Sequence, residues 1–176
     1  MDDIANEAGI SKKTIYKYFD SKAKLIEVLV VAHIEAEAKN IAEIAKKNKN
    51  PIQAMVEIGH LVYIHYKEMS PDVMIELKKY FYDIWQLVDK IQEEFMLEGI
   101  TKNMKKGIEL GLYRNEVDPE FITNVYVNSV ITSCDREENI AGKEQYYLML
   151  LEYHMYGVMT DKGRKQFNKL KAKLRK

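Results

Sequence analysis

All three prolines of the chain follow directly on a residue that caps helices: Asn50-Pro51, Ser70-Pro71 and Asp118-Pro119. Proline fixes φ near −65° and has no N–H, so it fits a helix only in the first turn, where that N–H has no partner anyway. Asn, Ser and Asp are the side chains that accept from the free N–H groups just beyond. Three helix starts are therefore written in the sequence, and the long intervals between them hold no further proline. Alternating apolar and polar runs, the mark of a half-buried strand, are almost missing. The expected fold class is all-α.

The first two dozen residues read as two short helices joined by a tight turn at Gly9, then the start of a longer third. Ala5 is small enough to let the second helix approach the first. Gly9 can take the left-handed backbone a sharp helix-to-helix turn needs. Ile15 falls on the inner face of the second helix, with Ile4, Ala8 and Ile10 as its expected neighbours. That leaves Ser11, Lys12, Lys13, Thr14, Tyr16, Lys17 and Tyr18 outside. A helix projecting short polar, cationic and aromatic groups after such a turn has the make-up of a helix-turn-helix recognition helix.

The charge is placed to match. The whole chain has 27 basic and 27 acidic residues, so bulk basicity cannot hold DNA. Residues 11–24, however, carry five lysines (12, 13, 17, 22 and 24) against Asp20 alone, a local excess of four positive charges. Ser21 is a good N-cap, which puts Lys22 in the first turn of the third helix, where the macrodipole disfavours a cation. A phosphate opposite Lys22 explains that placement.

Residues 3–22, Asp-Ile-Ala-Asn-Glu-Ala-Gly-Ile-Ser-Lys-Lys-Thr-Ile-Tyr-Lys-Tyr-Phe-Asp-Ser-Lys, closely resemble the DNA-binding signature of TetR/AcrR-type transcriptional regulators. Tyr16-x-Tyr18-Phe19 followed by Ser21-Lys22 is the most specific part. Further on, Gly107-x-x-x-Gly111-Leu112-Tyr113-Arg114 with Asp118-Pro119 is similar to a connector in the ligand-binding half of that family. On this reading Lys12, Thr14, Tyr16 and Lys17 enter or flank the major groove. Ser11, Tyr18 and Lys22 hold phosphate, with Lys13 and Lys24 as weaker electrostatic help. In the family a further helix precedes the turn motif; here the chain begins at Met1, immediately before it. The expectation is a head lacking its first helix, from a misplaced start codon or trimming.

Behind the head, one long helix is expected from Lys22 to about Lys47, with Leu25, Leu29, Ala32, Ile34, Ala38, Ile41 and Ala45 as its apolar stripe. Asn50 then caps a helix over about 51–69, with Gln53 completing a capping box. Its apolar residues lie on nearly all faces, as in a central buried helix. A short helix follows Ser70-Pro71-Asp72. Another, capped by Asp83, runs to about Leu110 and is stopped by Gly111. The remaining helices are placed at about 119–133, after an acidic loop at about 143–159, and from Thr160-Asp161 to the end. The last fifteen residues hold eight cations and no acid, and either fold over the body or fray. The division expected is a DNA-binding head with linker helix over 1–46 and an effector-binding and dimerisation body over 47–176.

In the body, the aromatic group that includes His60, Tyr63, Tyr82 and Trp85 is read mainly as core, and in part as lining for an apolar effector pocket. The resemblance implies such a pocket for an unknown small molecule. It also implies a homodimer through the last two body helices, with Phe121, Val125, Tyr147, Leu151 and Tyr156 as interface residues. Two heads would then address two half-sites of double-stranded operator DNA. Glu57-x-x-His60 has the spacing of half a helical di-iron site, but no second copy exists. His33, His60, His65 and His154 are otherwise scattered, so no metal or other cofactor is expected. No nucleophile motif or phosphate loop is present, which argues against an enzyme. No run approaches the roughly 18 apolar residues of a membrane span, and the single cysteine, Cys134, suits a reducing cytoplasm. The function expected is a ligand-released repressor. The rival is a helical small-molecule binding protein with a non-functional head; a helical metalloenzyme ranks third.

Overall fold

The computed structural model describes residues 1–68, 71–135 and 143–175. Among these, the chain forms α1 (Asp2–Glu7), α2 (Lys12–Tyr18), α3 (Lys22–Lys47), α4 (Pro51–Glu68), α5 (Pro71–Tyr80), α6 (Tyr82–Glu109), α7 (Pro119–Asp135), α8 (Lys143–Val158) and α9 (Asp161–Leu170). A 3₁₀ turn over Lys171–Arg175 follows. No strand occurs among the described residues; Tyr113 and Met159 make one isolated antiparallel bridge. Ser70 and residues 136–142, with the expected cap and acidic loop, lie outside the described residues.

The caps work as the sequence suggests. Ser21 and Thr160 accept from the backbone N–H of Lys24 and Gly163; Ser11, not expected as a cap, accepts from Thr14 in the same way. Asn50 Oδ1 accepts from Ile52 and Gln53, and Asp118 Oδ1 from Phe121. The Gln53 side chain does not close a capping box; its amide donates to Glu57 instead. At α6 the cap is Phe81, without a side-chain bond, and Asp83 lies inside the first turn. The start is set by the break after α5 rather than by Asp83.

Two glycines end helices in the same way. Gly9 and Gly111 have φ of +65° and +64°. Around each, one bond spans six residues (Ile10 N–H to Ala5 O, Leu112 N–H to Gly107 O) and one spans four (Gly9 N–H to Asn6 O, Gly111 N–H to Ile108 O). This is the Schellman arrangement, which satisfies otherwise orphan carbonyls and turns the chain sharply.

Three apolar clusters hold the molecule. The largest joins α4, the second half of α6, α7, α8, α9 and the 3₁₀ turn around Ile52, Val56, Met104, Tyr113, Leu148, Leu151, Met155, Phe167 and Leu174. Phe167 and Leu174 are fully buried, so the basic C-terminal segment folds over the body. A second cluster packs Ile34 of α3 against Leu77, Ile84, Trp85 and Val88 of α5 and α6. The third is the head: Ala5, Ile15 and Leu25, with Met1 and Phe19 against them.

Two expectations about faces are corrected. Ile15 does not pack on Ile4, Ala8 and Ile10, which are exposed; Ala5 points inward, and its neighbours on α1 turn away with the helix. On α3 the inward stripe runs through Leu25, Ile26, Val30, Ile34, Ala38, Ile41 and Ile44, ending at the buried Asn48. Leu29, Ala32 and Ala45 face outward, because α3 turns Ile26, Val30 and Ile34 toward the α5–α6 cluster.

Candidate nucleic-acid interface

With Ile15 turned to the core, every other residue from Ser11 to Tyr18 is exposed. Tyr18 shows 71% of its surface and Tyr16 45%. A buried Ile15 and two large exposed tyrosines on a seven-residue helix make no sense as folding alone, since the tyrosines gain nothing from burial there. They present exposed rings and hydroxyls beside a set of cations.

Several of these groups are already ordered. Ser11 Oγ lies 2.7 Å from Thr14 Oγ1 and 3.0 Å from the Thr14 N–H, so both hydroxyls are fixed at the helix start. Lys12 Nζ donates to Asp2 Oδ2 at 2.8 Å across the turn. That bond holds the Asp2 carboxyl below its ordinary value and raises the Lys12 ammonium above its own. Lys17 lies 5.8 Å from the Tyr18 ring centre. Lys13 is exposed, and Lys24 pairs with Glu27 at 2.8 Å. Lys22 sits 5.9 Å from the centre of the Phe81 ring. That contact links the head to the junction of α5 and α6. Nothing in the local sequence announces it, since Phe81 lies 59 residues further on.

The four aromatic-group residues do not converge. Trp85 is buried in the α3–α5–α6 cluster under Lys78, and Tyr82 is exposed at the start of α6. Tyr63 packs half-buried against the main core, and His60 Nδ1 lies 3.5 Å from the Leu174 carbonyl. The broken helix explains the split: α5 and α6 separate at Phe81, and Trp85 turns toward α3 while α4 packs on the other cluster. Glu57 is also spent on structure, taking bonds from Asn48 and Gln53. A solvent-open groove of about 800 Å³ lies elsewhere, between α6 and α7, bordered by Thr101, Lys102, Lys105, Glu120 and Asn124.

On the last two body helices, Phe121 and Val125 are exposed along α7, and Tyr146, Met149 and Tyr153 along α8. Tyr147 and Leu151 are not surface residues. Both are buried in the chain's own core, Leu151 completely, because α8 is apolar on every side and its inner face is the one they occupy. Tyr156 turns toward α9, edge-on to Phe167 and donating to Asn168.

The connector is built as tightly as its glycines suggest. The Tyr113 ring lies directly on Gly107, where a Cβ would collide with it, and its hydroxyl donates to Asn103 at 3.0 Å. Arg114 then ties the connector to the end of α8 through backbone and side chain, to Val158 O and Gly157 O.

A short helix pair locked at a left-handed glycine, with a polar, cationic and aromatic second helix facing outward, defines a helix-turn-helix DNA-binding protein. Residues 1–29 match the family model of the bacterial regulatory proteins of the tetR family. The chain is 30% identical over 140 residues to the uncharacterized HTH-type transcriptional regulator YvaF of Bacillus subtilis (strain 168), covering 78% of this chain and 72% of that protein. Its fold is similar to a TetR transcription regulator from Haloarcula marismortui (TM-score 0.70, 15% identity, 89% and 85% of the two chains). It is also similar to the ketosteroid transcriptional regulator KstR2 of Mycobacterium tuberculosis (TM-score 0.56, 19% identity, 91% and 84%). The chain belongs to the TetR family of DNA-binding transcriptional regulators.

Proposed function

We propose that this regulator is a repressor whose hold on operator DNA is released by a small-molecule effector, acting as a homodimer in the cytoplasm. The observation that carries the DNA half is the outward face of α2. Thr14, Tyr16, Lys12 and Lys17 are assigned to the major groove and its edges, and Ser11, Lys13, Tyr18 and Lys22 to phosphate. Two copies are needed because one seven-residue helix reaches few base edges, whereas two heads reading half-sites a helical turn or its multiples apart give specific affinity. The exposed stripe of Phe121, Val125, Met149 and Tyr153 on α7 and α8 supports the pairing surface, in place of Tyr147 and Leu151.

Residues 1–46 are assigned to reading DNA and 47–176 to binding effector and partner. The work is binding, not catalysis. For the effector, the half-buried His60 and Tyr63 of α4 are the lining we favour; Tyr63 packs on the main core, as do Met96 and Ile100 of α6. The route to the head is supported by two contacts: Ile34 of α3 lies in one cluster with Trp85, and Lys22 lies over Phe81. An effector that favours one packing of α6 against α3 would shift the population of head spacings. None of the described helices is long and apolar enough to cross a membrane.

The test is binding-site selection from a pool of random duplexes. The prediction is enrichment of a two-fold symmetric site by the wild-type chain, and loss of the base preference in Tyr16→Ala and Thr14→Ala. No enriched sequence, or the same one from Tyr16→Ala, contradicts the assignment.

A further inference from the structure

Away from the DNA-facing helix, three metal-ligating side chains meet at one place. His33 and Glu37 stand one turn apart on α3, the spacing that puts two side chains on one face, and His65 reaches them from α4. His65 Nδ1 lies 2.6 Å from Glu37 Oε1, and His33 Nε2 lies 3.9 Å from the same oxygen. The ligand atoms of all three lie within 4.8 Å of one another. The imidazole planes are 29° apart, with ring centres separated by 5.7 Å. We propose that His33, Glu37 and His65 bind one divalent transition-metal ion, of which Zn²⁺ is the best fit, and so clamp the linker helix to the body.

The donor set selects the ion class. Calcium and magnesium prefer oxygen ligands, whereas two of these three donors are imidazole nitrogens, which suit zinc and its neighbours in the first transition row. Three protein ligands with a water in the fourth position is a standard tetrahedral zinc arrangement. With bonds of about 2.1 Å, the ligand atoms of such a tetrahedron stand roughly 3.4 Å apart. The observed 2.6 and 3.9 Å lie on either side of that value. Small side-chain rotations therefore suffice, without moving a helix. His33 has room to make its share of them, with 63% of its side chain exposed. Zinc has no d-electron preference of its own and tolerates the residual asymmetry.

The site sits where it matters mechanically. α3 contributes Leu25 to the head cluster and Ile34 to the body cluster, so it carries any change of head angle. The metal site, with His33 adjacent to Ile34 and Glu37 about one turn beyond it, would fix α3 against α4 and hold the head in one attitude. This regulatory consequence rests on the DNA-binding reading above; the site itself does not.

The test is isothermal titration of the full chain, stripped with chelator, with zinc chloride. The expected result is one ion per chain, with affinity lowered roughly tenfold or more in His33→Ala and in His65→Ala, and unchanged in Glu35→Gln on the outer face of α3. Since His33 is exposed, His33→Ala should keep the wild-type melting temperature without zinc, which separates ligation from folding. No saturable binding, or equal binding by His33→Ala, overturns the site. In parallel, operator affinity with and without zinc should differ roughly fivefold or more in the wild type, and not in His33→Ala. If zinc binds and operator affinity is unchanged, the clamp is overturned and the site stands. If DNA is not bound in either state, the regulatory reading falls instead, and the calorimetry still decides the site.

Discussion

The head is small enough that one side chain decides whether it exists. Ile15 is 4% exposed and packs with Ala5 and Leu25, the other buried members of its cluster. Ile15→Ala removes three carbons, worth about 0.8 kcal/mol each, or about 2.4 kcal/mol before any cavity cost. At about 1.4 kcal/mol per factor of ten, the open population of α1–α2 rises roughly fifty-fold. Among the described residues the body shares no buried residue with this cluster, so its stability should be untouched. The assay is native-state hydrogen exchange, read at the amides of residues 15 and 19, which bond to Ser11 O and to the residue-15 carbonyl at 3.2 and 3.0 Å. Leu29→Ala is the control: it removes the same number of carbons from a side chain that is 58% exposed. The prediction is loss of protection and of DNA binding in Ile15→Ala, neither in Leu29→Ala, and unchanged protection around Met104 in both. Equal effects of the two substitutions, or uniform loss across α6 in Ile15→Ala, refute the packing described.

Three further outcomes follow from the body. His154 is buried against Tyr126, with ring centres 4.3 Å apart, and burial holds its imidazole down at about 4, against an ordinary 6.5. The unfolded chain therefore takes up a proton below pH 6.5 that the folded chain refuses until about pH 4; stability falls with pH across that window, by about 2 kcal/mol at pH 5. Thermal melts should show this dependence shrinking in His154→Phe, and an unchanged dependence refutes the cause. Gly107→Ala should destabilise by about 2 kcal/mol as the Tyr113 ring is displaced, despite alanine's better helix propensity of about 1 kcal/mol. A higher melting temperature contradicts the contact. Tyr153→Glu, placed on the exposed α8 stripe, should halve the mass measured by light scattering while leaving the helical circular dichroism intact; a retained dimer moves the interface elsewhere.

Helix starts and stops were legible because they are local: Ser21, Asn50, Asp118 and Thr160 all cap as expected, and Gly9 and Gly111 both turn the chain. So was the outward face of α2, where one apolar residue among polar neighbours leaves a single choice. Rotation was not legible in helices with apolar residues on several sides. Leu29 and Val30 are equally apolar, and only packing on the distant α5 and α6 leaves one out and takes the other in. Tyr147 and Leu151 fooled the reading for the same reason. Contacts between distant segments left still less trace. Lys22 over Phe81 has no sequence signal, and of the His33–Glu37–His65 cluster only the His33–Glu37 spacing on one helix face could have been noticed.

The proposed DNA-binding role rests above all on phosphate contacts from the exposed lysines around α2. Fluorescence anisotropy with the selected operator, from about 50 to 200 mM salt, measures it directly through the slope of log affinity against log salt. The prediction is a negative slope that becomes shallower by about 0.9 for each phosphate contact removed, tested singly in Lys13→Ala and Lys22→Ala. A slope that stays the same when both are replaced contradicts the claim and moves the DNA surface elsewhere on the molecule.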